Sequence, residues 1–455
     1  MIRWLGILAA LTLAACTGGE TSRLASSDID LPPMRVFSEV NPAPTRASNA
    51  VIARDFLDLA FQLESGRPLK VFSRFEGPVT VAVRGKQPAT LERDLDRLLE
   101  RLRREARIDI RRAKPGQTPS IIVETVPLAE LQRIAPTAAC IVRPNVSGWA
   151  DFRARRNDPD TLWPNLAARR QMAVFLPSDE APQEIRDCLH EEIAQALGPV
   201  NDLFRLNSSI FNDDNFHSVL TGYDMLILRA YYDPALQTGM SQADVARRLP
   251  GILARINPRG GQGSIAARPP AASDWKRTIT SAMDKRTPKE RRRLAAERAV
   301  SMAALNGGTP SQLALSYYWL GRLSFATDPE RALNAFLAAR RLYAQSPDTG
   351  AQRAQVALQL AAFQLSIGRT GEAIRLVDEN LAVTRQSENA VLLSLFLLVK
   401  AEALALDGKT SASARVQREA LAWARYGFGS DAEVRERAAE ILAISPRSRQ
   451  TGGAV

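Results

Sequence analysis

The sequence predicts an α+β domain followed by an all-α array of helical repeats. Three observations carry this. Between residues 48 and 197, short runs rich in β-branched residues alternate with longer runs of helical periodicity. A Gly- and Pro-rich stretch, Arg259 to Ser273, then interrupts the chain. Beyond it, as far as Ser445, the chain is helical and rich in Ala and Leu, with small residues returning at a step of about 40 residues.

The 455 residues suffice for two or three domains, and an apolar content of 45% allows real cores. The formal net charge of +11 suits contact with anionic lipid, peptidoglycan or an acidic partner, but names no ligand.

Residues 1–16 read as a lipoprotein signal peptide. Arg3 supplies a positive charge, and Trp4 to Ala15 is an uncharged apolar run, too short to span a bilayer as a permanent helix. Leu13-Ala14-Ala15-Cys16 reads as a lipobox: small residues suit a signal-peptidase cleft, and the Cys16 thiol can then take diacylglycerol. The alternative is an ordinary secretory signal with an incidental Cys. The lipobox predicts an exported chain, held in the cell envelope by the lipid on Cys16 and facing the periplasm. Thr17, standing where an Asp would resemble an inner-membrane retention signal, favours the outer membrane. Export excludes nucleic acid as the natural partner. It also places Cys140 and Cys188 in an oxidising compartment, where they are expected to pair. That bridge closes a loop of about 48 residues, worth about 4 kcal/mol less any strain. Two separate buried thiols are the alternative.

Along the chain, residues 17–47 are rich in Ser, Pro and small polar residues and predict a flexible tether, with a reach on the order of 30 Å. The α+β domain is expected over 48–255. A helix opens it at Ser48 to Ser65, with Val51, Ile52, Phe56, Leu57, Leu59 and Ala60 at helical spacing. Val79 to Val83 is a strand ending at Arg84-Gly85. Thr90 to Ala106 is an amphipathic helix with Leu91, Leu95, Leu98, Leu99 and Leu102 on one face. Ile108 to Ile110, Ile121 to Val123 and Met172 to Leu176 are further strands. Pro182 to Leu197 is a second long helix, for which Ser178 or Asp179 is available as a cap. A linker over 256–285, repeats over 286–445 and a disordered tail over 446–455 complete the chain.

Within the repeats, Gly321, Ala332, Phe336 and Ala339 resemble the core positions of a tetratricopeptide repeat, as does Gly368 to Ile374; Gly408 to Arg415 echoes them. Ala332, Ala373 and Ser413 mark the repeating small position. A non-repeating helical bundle is the alternative. The basic run Lys285 to Arg293 reads as the solvated start of a repeat helix, with contact to acidic cell-wall or lipid groups as a second use.

One stretch could carry chemistry: Glu191-Glu192-Ile193-Ala194-Gln195-Ala196-Leu197-Gly198-Pro199-Val200-Asn201. It resembles the zinc helix of the matrixin-type metzincin proteases, His-Glu-x-x-His-x-x-Gly-x-x-His. In that pattern two His lie one turn apart on one helix face, a Gly ends the helix in a left-handed turn, a third His swings back to the metal, and the Glu activates a zinc-bound water. Ser209-Ile210-Phe211 resembles the methionine turn of that family. Leu220 to Asp224, running on to Tyr232, resembles its closing helix. The same stretch, with Ser-Ile-Phe-Asn following, is similar to an exported bacterial family of unknown function. The resemblance covers residues 48 to 255 and implies a zincin-like fold.

The departures bear on function. Glu191, Gln195 and Asn201 occupy the three His positions, Phe211 replaces the methionine, and only Glu192 keeps its catalytic identity. Amide carbonyls are hard, weak oxygen donors, poorly suited to zinc. The chain has 2 His, so a three-His site is impossible. His190 stands one residue out of frame and reads as an incidental helix residue.

Three readings follow. The first is a structural relic holding no metal or cofactor, with Glu191, Gln195 and Asn201 hydrogen-bonded to one another. The second is a calcium site using Asp202, Asp213 or Asp214. The third is a new zinc site built from Glu191, His217 and an Asp, with hydrolysis surviving. Asn212 to Asn215 reads as a solvated acidic turn.

The expected function is an envelope lipoprotein with an inactive metalloprotease-like domain and repeats that grip an envelope protein. The alternatives are a divergent metallopeptidase or cell-wall hydrolase using Glu192, and a structural lipoprotein without enzymatic role.

Overall fold

The structure, a computed structural model, describes residues 30–38, 43–261, 264–267 and 273–446. The signal peptide with Cys16, part of the expected tether and nearly all of the expected tail lie outside the described residues. Two compact units emerge: residues 43–267, and residues 273–446 together with 30–38.

In the first unit, helix α1 (Asn49–Phe61) is followed by strand β1 (Val79–Arg84), helix α2 (Leu91–Glu105), and strands β2 (Ile110–Arg112) and β3 (Ile121–Val126). Helix α3 (Leu128–Ile134), strand β4 (Ile141–Pro144), helix α4 (Trp149–Arg155) and strand β5 (Met172–Pro177) come next. Helices α5 (Pro182–Leu197), α6 (Gly222–Tyr231) and α7 (Gln242–Ile256) complete it.

The five strands form one mixed sheet in the order β2-β1-β3-β5-β4. All neighbours are parallel except β4, which runs antiparallel to β5 in the register Ile141↔Phe175 and Val142↔Val174. Alternation along β5 builds two cores. Met172, Val174 and Leu176 face the larger one with α1, α2, α5, α6 and α7, whereas Ala173 and Phe175 face a smaller one with Leu131, Trp149 and Phe152. The sheet is therefore covered on both faces.

Three local expectations are corrected. The strand expected at Ile108 to Ile110 begins at Ile110, because Arg107 takes a left-handed conformation (φ 59°) and the Ile108 N–H still donates to the Leu102 carbonyl at 3.2 Å. Neither Ser178 nor Asp179 caps α5; its N-cap is Ala181, Pro182 opens the helix, and Asp179 accepts the Leu128 N–H at 2.8 Å. Strand β4 has no counterpart in the sequence reading, being four residues long and closed by Pro144 at the sheet edge.

Cys140, one residue before β4, is bonded to Cys188 of α5 with a Cα–Cα distance of 5.8 Å. The edge strand is thereby fastened to the helix that carries the candidate site.

In the second unit, helix α8 (Ser273–Met283) lies inside the stretch expected as linker. Its buried Trp275, Ile279, Ala282 and Met283 give it the apolar stripe that holds it to the array. It is followed by α9 (Lys289–Leu305), α10 (Pro310–Ser324), α11 (Pro329–Ala344), α12 (Gly350–Ser366), α13 (Thr370–Gln386), α14 (Ala390–Leu406), α15 (Thr410–Phe428) and α16 (Asp431–Ile444).

Short connections make hairpins of α10 with α11, α12 with α13, and α14 with α15. The repeating small positions fall near the start of the second helix of each hairpin, and Ala332 and Ala373 are fully buried. A Cβ on Gly321 would sit 2.7 Å from the Phe336 ring, so α10 and α11 can approach only because that residue is Gly. The basic run is solvent-exposed at Lys285, Arg286, Lys289 and Arg291, as expected, while Arg292 and Arg293 are half-buried and partnered. Arg293 bonds Glu290 and Glu297, and Arg292 donates to the Ala282 carbonyl at 2.9 Å and lies over the Trp319 ring.

The described parts of the expected tether are packed. Residues 30–38 lie on α15, and Ala43 meets the start of α6, where a Cβ on Gly222 would fall 2.3 Å from the Ala43 carbonyl oxygen. Among the described residues no helix is long and apolar enough to cross a membrane.

Candidate functional site

From Cys188 to Leu197 every residue of α5 is buried, polar ones included. An all-round buried helix must satisfy its terminal carbonyls inside the protein. The Ala194 carbonyl accepts the Gly198 N–H at 3.0 Å. Those of Gln195 and Ala196 accept from Arg169 Nη1 at 2.6 and 2.8 Å, and that of Leu197 accepts from the Tyr232 hydroxyl at 3.0 Å. Arg169 also donates to the Gly198 carbonyl at 2.6 Å and the Ser73 carbonyl at 3.0 Å, and lies 5.3 Å over the Trp163 ring. Burial pushes its guanidinium down to about 10, so it stays charged at neutral pH and opposes the negative end of the helix dipole.

Gly198 does not end the helix in the left-handed turn that the protease pattern implies; its φ is −169°. Its need is steric: a Cβ there would meet the Tyr231 ring at 2.7 Å. The chain then runs back to α1, where the Val200 N–H donates to the Leu59 carbonyl at 3.0 Å.

The substituted ligand positions make bonds of their own. Gln195 Nε2 donates to Glu191 Oε1 at 3.1 Å across one turn of α5, while the Gln195 side-chain oxygen Oε1 is buried without a hydrogen-bond donor among the described residues. Asn201 is absent from that pair. Its amide donates to the Asp58 carbonyl at 3.0 Å, and its oxygen accepts the Asp202 N–H. The expected three-residue network is therefore a pair on α5 and a separate anchor on α1. Glu192 is fully buried, and its carboxylate opposes the loss of charge that burial imposes on Arg143 of β4, whose guanidinium lies 5.4 Å over the Phe152 ring.

The proposed alternative ligands are dispersed over other tasks. His217 Nε2 donates to the Asn207 carbonyl at 2.8 Å. Asn212 to Asn215 is not a solvated loop. Asn212 and Asp214 are buried, the Asn212 amide bonds Asp214 and the Leu206 carbonyl, and Asp214 accepts the Phe216 N–H at 3.1 Å. Among the described residues no group of three or more His, Cys, Asp or Glu is placed to hold one metal ion. The donor set does not fit zinc: Glu191 is hydrogen-bonded to Gln195, and Asn201 is turned to Asp58.

The loop between α5 and α6 is positioned by residues that sequence reasoning missed. Asp224, fully buried, accepts from the Ser209 hydroxyl and the N–H groups of Ile210 and Thr221, tying the Ser209 turn to the start of α6. Arg205 bridges Asp55 and Asp58 of α1 at 2.8 and 2.6 Å. The Tyr223 hydroxyl donates to Asp55 at 2.9 Å, and burial followed by that carboxylate pushes the phenol well above its usual range.

His190 is more than an incidental residue. Its Nδ1 accepts the Leu220 N–H at 3.2 Å, while Arg101 Nη2 donates to the Leu220 carbonyl at 2.9 Å. One residue is thus clamped through both its backbone groups. No periodicity or motif marks Arg169, whose partners are distant in sequence and mostly backbone. Asp224 carries a local signal in its capping box with Thr221, and Arg101 one in its pairing with Glu105 a turn later, but neither spacing shows the bonds to Ser209, Ile210 or Leu220.

The geometry defines a class: a two-faced mixed-sheet α+β unit with a closed, hydrogen-bonded polar interior, joined to a helical array. Residues 49–251, spanning α1 through most of α7, match the model of a family described as a protein of unknown function (DUF2927). No curated protein and no solved structure matches the chain.

Two measurements probe this site. Arg169→Ala removes the donor from four buried carbonyls and should cost more than about 3 kcal/mol in denaturant unfolding of the α+β unit. A loss under about 1 kcal/mol, the worth of one ordinary hydrogen bond, would rule out its capping role. The second concerns pH. Burial first, then the charges of Arg101, Arg186 and Arg97, hold His190 well below its ordinary 6.5. The unfolded chain takes up a proton below that pH and the folded chain does not. Stability is complete above it and falls as pH drops, by up to about 1.4 kcal/mol per unit. His190→Gln should flatten the fall between pH 7 and 5.5, and equal slopes would show that His190 is not its source.

Proposed function

We propose that this protein is an envelope lipoprotein, anchored through Cys16, whose α+β unit is a metzincin-like fold without catalytic activity. Its helical unit is a tetratricopeptide-like array that binds a protein partner. The observation that carries the first part is the use made of the three ligand positions. Gln195 donates to Glu191 and Asn201 to Asp58, so these side chains serve the protein's own interior. The order of landmarks supports the fold: β5, the buried helix α5, Gly198 against Tyr231, the Ser209 turn held by Asp224, and then α6.

Support for a binding array comes from its surface. Leu294, Leu305, Leu337, Ile367 and Leu442 are exposed on the helical unit, Leu305 at 83%. Burying such side chains under a partner lowers the free energy by removing apolar surface from water.

Metal analysis of the purified full chain should find zinc well below one per chain, and Glu192→Gln should leave partner binding unchanged. One zinc per chain, with a chelator-sensitive hydrolysis abolished by Glu192→Gln, would establish the metallopeptidase instead. For the anchor, Cys16→Ser should move the chain from the membrane fraction to the soluble one. A variant that stays membrane-bound would refute the lipid.

A further inference from the structure

The segment Pro32 to Phe37 is held on α15 by several different bonds. The Arg35 N–H donates to the Ala422 carbonyl at 2.9 Å, and Arg425 Nη1 donates to the Pro32 carbonyl at 3.0 Å. The Arg35 guanidinium meets Glu419 at 3.2 Å, a carboxylate that also pairs with Arg385 of α13 at 3.1 Å. Phe37 is 7% exposed; it stacks on Trp423 with ring centroids 4.4 Å apart and meets Tyr426 edge-on at 6.2 Å.

The acceptors Glu419, Ala422, Trp423 and Tyr426 form one stripe along α15, at the spacing that places residues on a single helix face. The stripe offers a carboxylate to a cation, a carbonyl to a backbone N–H and two rings to an aromatic side chain, and Arg425 beside it offers a guanidinium to a peptide carbonyl. Each of these finds its complement within six residues of extended chain. Pro32 and Pro33 bias that chain toward extension before it docks, which reduces the ordering cost. A linker collapsed by apolar contact alone would bury Phe37 but would not bring a backbone pair, a carbonyl bond and an ion pair into register beside it.

We propose that this face of α15 is a docking site for an extended peptide of the form Pro-x-x-Arg-x-aromatic, filled in cis by residues 32–37. The helical unit is the body that captures the chain's leading segment.

The test uses the full mature chain carrying Phe37→Ala, which removes the anchoring ring from a residue outside every helix and so leaves the array folded. A labelled peptide of residues 30–38 should bind this variant saturably. It should bind the wild-type chain at least tenfold more weakly, because there the site is already filled. The same peptide carrying Phe37→Ala should bind neither chain. In parallel, trypsin should cleave after Arg35 at least tenfold faster in the variant than in the wild type. Equal peptide binding by the two chains, binding by neither, or equal cleavage rates would overturn the proposal.

Discussion

The α+β unit depends on one buried cation. Arg169 reaches the last turn of α5 from the segment preceding β5 and satisfies the carbonyls of Gln195, Ala196 and Gly198. A helix buried on all sides has no water to finish its C-terminal end, so those groups need a donor from the protein. One guanidinium supplies several N–H groups in a fixed plane and carries the charge that the helix dipole favours. Stacking on Trp163 and the bond to Ser73 hold it in place. The position of Glu191, Glu192 and Gln195 follows from this contact, because it fixes where their helix stops.

The loop that follows is organised by the same means. Between Gly198 and Thr221 there is no regular element, yet Val200, Asn201, Asn212, Asp214, Phe216 and Leu220 are all buried. Side chains stand in for a ladder: Asp224 collects the Ser209 turn, Arg205 collects two carboxylates of α1, and His190 with Arg101 holds Leu220. Buried polar groups are costly unless satisfied, so these bonds are mutually dependent. An interior built this way commits many of its polar side chains to holding the loop and its flanking helices in place.

Much of the fold was legible because hydrophobic periodicity is a local signal. The leucine stripe of α2, the apolar runs of β1, β3 and β5, and the match of Gly321 to Phe336 all follow from residues a few positions apart on one element or one hairpin. The pairing of Cys140 with Cys188 was legible from their number and the expected compartment. Strand β4 was not, since four residues ending in Pro144 give no period to detect. Helix α8 was hidden by the Gly/Pro-rich stretch before it. The packing of Pro32 to Phe37 was hidden by composition, because Pro- and Ser-rich sequence reads as linker unless its partner stripe on α15 is known. The site residues were legible as a set of substitutions, and so was the bond between Glu191 and Gln195, one helical turn apart; the partner of Asn201 was not. Asn201 bonds a carbonyl on α1, and no spacing rule relates residue 201 to residue 58.

The bond between Cys140 and Cys188 has a bearing on the chain's life before it is finished. A thiol pair of this kind closes only where oxidation is permitted, and stays open in a reducing compartment. Until it closes, β4 is an edge strand of four residues with a single neighbour, held to α5 by packing alone. The reduced chain is consequently easier to pull open at this edge than the oxidised one. Oxidation then acts as a ratchet, making the folded state harder to reverse.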